Sequence, residues 1–229
     1  MAKTIVVVGF GPGISTAVAE KFGASGFSVA LVGRNEAKLA AGVKALEAKG
    51  IHAVAASGDA SDPASIRAAV AKARALGPIA VVHWNAYGGD AAGDFVSADP
   101  AAVRSVFDVA VVGLLAAVQE ALPDLKKTKE GAVLVTNGAF GDLNPQIDEF
   151  AVSAKFMGIA LANAAKHKLV GLLAQRLKGE GVYVGEVTVA GAIKGTAWDT
   201  GTATIESATV ANKFWELYRA RGETGARVS

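Results

Sequence analysis

Six short runs of β-branched and small apolar residues punctuate the chain: TIVVVG (4–9), SVALVG (28–33), HAVAAS (52–57), IAVVHW (79–84), GAVLVT (131–136) and VYVGEVTV (182–189). Each has the length and composition of a strand, and the first and fourth are apolar almost without interruption, as strands buried on both faces must be. Between them lie Ala-rich stretches with helical period. In NEAKLAAGVKALEAKG (35–50), Asn35 is the N-cap, Leu39, Val43 and Leu46 form one stripe, and Gly50 is the stop. The stretch 101–125 and the run from Phe156 to Leu177 are apolar on nearly all sides, so they predict helices sandwiched in a core or packed against another subunit. Strands alternating with helices predict an α/β fold: a doubly wound parallel sheet in a three-layer α/β/α arrangement.

Composition narrows this. With 229 residues, 52 % of them hydrophobic, the chain is read as a single domain, 1–229, with no repeat, linker or composition break. There is no cysteine, and His52, His83 and His167 lack metal-ligand spacing, so no metal site is expected. The first apolar run is too short to span a bilayer and is followed by no cleavage pattern; the expectation is a cytoplasmic protein without membrane association. At a net charge of +2, the clusters KKTK (126–129), KHK (166–168) and RAR (219–221) read as solvated helix faces, and no nucleic-acid partner is expected.

After the first strand comes GFGPGIS, from Gly9 to Ser15, and then a helix. Glycines there allow a tight turn and close approach of backbone to a pyrophosphate, whose charge meets the amides of the helix N-terminus. The spacing of Gly9, Gly11 and Gly13 with Ile14 behind them resembles the phosphate loop of the short-chain dehydrogenase/reductase family, with Ser15 where its last glycine stands. The resemblance extends along most of the chain. GDASD places Asp59 and Ala60 at the family's adenine-contacting segment. WNAYG places Asn85 and Ala86 at its Asn-Asn-Ala-Gly segment, from which Trp84 and Tyr87 depart. AGAIKGT keeps Gly191 and Ile193 of the segment that clasps the nicotinamide amide, and Ala190 replaces the proline. The resemblance implies a Rossmann-type fold, a nicotinamide cofactor, a small-molecule substrate and a homodimer or homotetramer. Gly33 and Arg34 end the second strand where NAD enzymes place a carboxylate; an Arg fork there suits a 2′-phosphate, so the expected cofactor is NADP(H).

In that family a Ser and a Tyr touch the substrate, a Lys four residues after the Tyr holds the nicotinamide ribose, and an Asn supports a water relay. By its flanks the Asn becomes Ala110 here, in FDVAVVG, and the Ser becomes Gly138, after Asn137. Counting forward from the fifth strand puts Ala151 and Lys155 at the Tyr and Lys positions; counting back from the sixth puts Ile159 and Asn163 there. The two counts differ by eight residues, which predicts an insertion of about two helical turns. Neither register supplies a tyrosine. Candidates for the missing polar groups are Asn137, Lys155, Asn163 and His167, which lies one helical turn beyond Asn163 on the same face, with Asp142 as a further acid. Two functions follow from this pattern. One is an oxidoreductase with non-standard catalytic residues, reducing a carbonyl, imine or activated alkene. The other is a catalytically silent NADP(H)-binding sensor or partner subunit.

Overall fold

The computed structural model describes residues 2–88 and 92–229. Seven parallel strands form one sheet in the order β3-β2-β1-β4-β5-β6-β7, so the chain starts in the middle, winds to one edge, crosses back and winds to the other. The strands are β1 (Thr4–Val8), β2 (Ser28–Gly33), β3 (Ala53–Ser57), β4 (Ile79–Trp84), β5 (Ala132–Gly138), β6 (Tyr183–Val189) and β7 (Gly225–Val228). The first six are those the apolar runs predict. β7 has only four residues, GARV, and pairs along the exposed edge of β6; nothing in so short and polar a run marks it as a strand.

Alternate side chains of each strand feed opposite layers. Val6, Val8, Val82, Trp84, Val133 and Val135 pack beneath α3 (Pro63–Ala73), α5 (Leu114–Lys127) and α7 (Met157–Lys178). Ile5, Val7, Leu31, Val81 and Leu134 pack beneath α1 (Ile14–Ala24), α2 (Glu36–Glu47) and α8 (Ser207–Ala220). Both faces are therefore dry, which is why the central strands read as unbroken apolar runs.

Local signals set the helix boundaries. Asn35 caps α2 by accepting from the Lys38 amide. Asp62, Asp99 and Asn144 each cap a helix whose first residue is proline: Pro63 of α3, Pro100 of α4 (Pro100–Phe107) and Pro145 of α6 (Pro145–Ser153). The nine-residue α6 lies between β5 and α7, in the stretch where an insertion of about two turns is expected. The long apolar stretch is interrupted: a π-helical turn, Asp108–Gly113, separates α4 from α5. The combined helix Pro100–Lys127 is long and apolar enough to cross a membrane, yet Leu114, Ala117, Val118, Ala121 and Leu125 are buried against the sheet.

The reading of the basic clusters as solvated faces is corrected at two residues. Lys166, on the inward face of α7, is 4 % exposed. Arg221 closes α8 in a left-handed conformation (φ 53°) and donates to the carbonyls of Lys129 (3.1 Å) and Gly131 (2.6 Å), which ties the helix to the start of β5.

Candidate cofactor and catalytic site

The carboxyl ends of β1, β4 and β5 bring the glycine loop, the Asn85–Ala86 segment and the N-terminal half of α7 together. Gly9 has φ +82°, and a Cβ on it would stand 2.5 Å from the Ala86 amide nitrogen, so only glycine lets β1 exit this close to the β4 exit. The Asn85 amide nitrogen reaches back to the Gly9 carbonyl at 3.4 Å. Gly13 has φ +92°, and a Cβ there would meet the Thr196 methyl at 2.7 Å. Between them, Gly11 faces open space, with no heavy atom within 4 Å of its Cβ position. Ile14 opens α1, whose N-terminus carries no side-chain cap. The buried Ser15 hydroxyl accepts from the Gly11 amide and donates to the Gly11 carbonyl, both at 2.9 Å, and so rigidifies the loop in place of the family's last glycine.

On the other side of β1, Arg34 stands exposed just past β2 and makes no ion pair among the described residues. Its charge is felt at Asp59. That carboxyl is held below the usual carboxylate range mainly by hydrogen bonds from the Ser61 amide (2.9 Å) and hydroxyl (2.8 Å), with Arg34 adding to the effect. Ala60 lies against Gly113, at the end of the π-helical turn that also carries the buried Ala110; a Cβ on Gly113 would collide with the Ala60 carbonyl. Gly191 packs on Ile205, and Ile193 is buried and forms an isolated bridge with Ile205 that closes the base of the 190–205 segment. An uncapped helix N-terminus, an open glycine and an unpaired arginine, spaced along one sheet edge, fit a dinucleotide carrying a diphosphate and a further phosphate.

The catalytic candidates separate into two groups. Asn163 is buried on α7 with its amide nitrogen against Gly138. Asn137 donates to the Asn163 carbonyl (3.1 Å) and to Glu186 Oε2 (3.2 Å). His167, exposed on the same helix face, hydrogen-bonds Glu186 Oε1 through Nδ1. Asn137, Glu186 and His167 border a cavity of about 330 Å³ that also touches Gly138, Thr188 and Arg227. Lys155, by contrast, sits in the turn between α6 and α7 with φ 57° and an exposed side chain. Asp142 is paired with Arg227 at 2.8 Å. Ala151 and Ile159 are both buried.

Sequence reasoning missed Glu186 and Lys166. Glu186 is 3 % exposed, and its signal was a single carboxylate on the inward face of an otherwise apolar strand. Lys166 donates to the Thr136 carbonyl at 3.0 Å, and its pKa is pushed down to about 8 by burial, partly offset by Glu186. Its neighbours His167 and Lys168 are exposed, which hid it in a basic cluster.

A doubly wound sheet with a glycine loop at the first βα turn and a functional edge at the central strands defines a dinucleotide-binding protein of the Rossmann class. The family model for short chain dehydrogenase matches residues 3–200. The chain belongs to the short-chain dehydrogenase family. Among solved structures it is similar to a short-chain dehydrogenase from Rhodopseudomonas palustris at 22 % identity (TM-score 0.81, 99 % of this chain and 98 % of that one). It is also similar to a short chain oxidoreductase from Pseudomonas aeruginosa PAO1, solved with NADPH and described as containing an atypical catalytic center, at 19 % identity (TM-score 0.86, 99 % and 95 %). A third is a blue fluorescent protein from a metagenomic library in complex with NADPH, at 24 % identity (TM-score 0.85, 99 % and 96 %).

Proposed function

We propose that this protein is an NADP(H)-dependent oxidoreductase that reduces a small organic carbonyl, imine or activated alkene without the family's tyrosine. The observation that carries the reading is the junction of Gly9 with Ala86, which leaves the glycine loop open at Gly11 beside an uncapped helix. Backbone amides of the loop and of α1 bind the diphosphate, Arg34 binds the 2′-phosphate, and Asp59 with Ala60 borders the adenine. The structural relatives that hold NADP or NADPH support that choice of cofactor. What the cofactor supplies when bound is a hydride for the substrate.

The chain's own contribution on the substrate side is unusual. Asn163 occupies the place of the ribose-holding lysine, and Asn137, itself held by Glu186, fixes the carbonyl of that same residue. His167 links the buried Glu186 carboxylate to the surface of the cavity. Ile159, Gly138 and Ala110 provide no acid at the three positions where the family has Tyr, Ser and Asn. That same loss favours a second reading, a silent NADP(H)-binding sensor. Two measurements decide: NADPH titration by fluorescence, then NADPH consumption with carbonyls, imines and enones. Binding with turnover of any of them supports the enzyme; binding with none supports the sensor; absence of binding refutes both.

A further inference from the structure

Four aromatic side chains form a continuous wall along the carboxyl edge of the sheet. Ring centroids of Tyr87 and Trp198 are 6.1 Å apart, those of Trp198 and Phe156 5.5 Å, and those of Phe156 and Phe140 5.6 Å. Neighbouring planes are tilted by 59°, 77° and 53°, so the rings meet edge to face, and Phe140 is in addition stacked on Phe150 (5.8 Å, 6°); the open ring surface of the wall is at its Tyr87–Trp198 end.

The chain positions of these residues place the wall across the site. Tyr87 follows Ala86, which abuts Gly9, and Trp198 lies two residues past Thr196, which abuts Gly13. Phe140 lies two residues past Gly138, and Phe156 is the N-cap of α7, three residues before Ile159. Tyr87 and Trp198 are 57 % and 40 % exposed, too open to be serving the core. Trp198 is also held in place: Asp199 accepts from the amides of Gly195 (2.9 Å), Gly201 (2.8 Å) and Ala203 (3.2 Å), which makes a fixed hoop of the loop tip. An aliphatic ligand would be served as well by Leu or Val; flat, fixed rings specifically reward a flat ligand.

A second, independent observation concerns charge. Hydride addition to a simple ketone leaves an alkoxide, a base comparable to hydroxide, which must take a proton as it forms. Ile159, Gly138 and Ala110 offer that oxygen no proton. Hydride addition to a quinone leaves a phenolate instead, whose conjugate acid has a pKa of about 10, as for tyrosine. Such an anion needs no acid from the protein.

We propose that Tyr87 and Trp198, backed by Phe156 and Phe140, are the substrate platform, and that the substrate is a planar fused-ring quinone. In the reaction NADPH gives up a hydride and becomes NADP⁺. The quinone takes both electrons with that hydrogen and becomes the hydroquinone monoanion, which takes its second proton from water. The substrate class rests on the oxidoreductase reading above.

The test separates platform from turnover. Calorimetry on the protein loaded with NADP⁺ compares 2-naphthol, which cannot be reduced here, with decahydro-2-naphthol. The expected preference is about tenfold for the flat ligand, and Trp198→Leu and Tyr87→Leu each weaken 2-naphthol about fivefold or more. NADPH affinity of Trp198→Leu stays within about threefold of the parent protein. In parallel, 1,4-naphthoquinone drives NADPH consumption above the protein-free rate and 2-decalone does not. Equal affinity for the two naphthols, unchanged 2-naphthol binding in both variants, or 2-decalone consumed as fast as the quinone overturns the proposal. So does 2-naphthol binding without quinone turnover, whereas loss of NADPH binding in the parent protein strikes the cofactor reading itself.

Discussion

The side-chain amide nitrogen of Asn163 lies 2.5 Å from the point where a Cβ on Gly138 would stand. The helix residue fills the space that a side chain at the strand end would take. Restoring the family's serine by Gly138→Ser forces the buried Asn163 aside, at a cost of about 1 to 3 kcal/mol. Urea denaturation of Gly138→Ser and of the double variant Gly138→Ser/Asn163→Ala checks this. The double variant should recover most of the loss, and equal stability of the single variant and the parent would show that the contact is soft.

Cofactor affinity should discriminate between the two places for the lost lysine. Asn163→Ala removes a buried amide beside Gly138 and is expected to raise the NADPH dissociation constant about fivefold or more, equivalent to about 1 kcal/mol. Lys155→Ala removes an exposed side chain in a turn and should leave it within about twofold. The reverse ranking would move the ribose contact to the α6–α7 turn.

Arg34→Ala tests the phosphate assignment. Loss of a charge-assisted fork should weaken NADPH by about 1.5 to 3 kcal/mol and change NADH little. Parent protein that binds both cofactors equally would show that Arg34 grips no 2′-phosphate.

Lys166 makes stability depend on pH in a defined window. Its pKa falls from 10.5 in the unfolded chain to about 8 in the folded one, so between these values the unfolded state binds more protons. Stability therefore rises as pH increases from about 8 towards 10.5, and the burial cost is fully present below pH 8. The Lys166→Met variant should lack this rise, on the order of 1 to 3 kcal/mol across the window. Parallel slopes for parent and variant in chemical denaturation at pH 7.5, 9 and 10.5 (about these values) would refute it.

Self-association is expected through the outer faces of the long helices, where Val112 and Leu172 are 41 % and 57 % exposed. Light scattering should give a mass that is a multiple of 23.1 kDa, and a monomer at micromolar concentration would show that these faces stay in water.

How far the sequence could be read depended on whether a feature was local. Strands buried on both faces announce themselves through unbroken Val and Ile, and helix starts through Asn35 or an Asx-Pro pair, because backbone hydrogen bonding there is decided by adjacent residues. The Asn144-Pro145 pair would have located α6, yet the insertion was inferred only by counting between strands. β7 was illegible because an edge strand of four residues is defined by its partner, β6. At the site, the glycine loop and Arg34 were legible through fixed spacing. Glu186 and Lys166 were not, since their roles depend on burial, which arises only when α7 settles on the sheet. The aromatic wall comes from four separate segments, and no single window of sequence contains it.

The π-helical turn at 108–113 makes the chain unequally tolerant of different kinds of mutation. Its wide turn holds about one residue more than an α-helix needs for the same rotation, so loss of the half-exposed Val112 would let it close into ordinary α-helix with the flanking helices still in phase. The same deletion at the start of α5 would rotate everything after it by about 100° and swing Ala117, Ala121 and Leu125 off the sheet. Substitution is the more restricted change at Gly113, where a side chain would collide with the Ala60 carbonyl. The wide turn thus works as slack in the helix, and lineages descended from this sequence should lose a residue there before they lose one in α5.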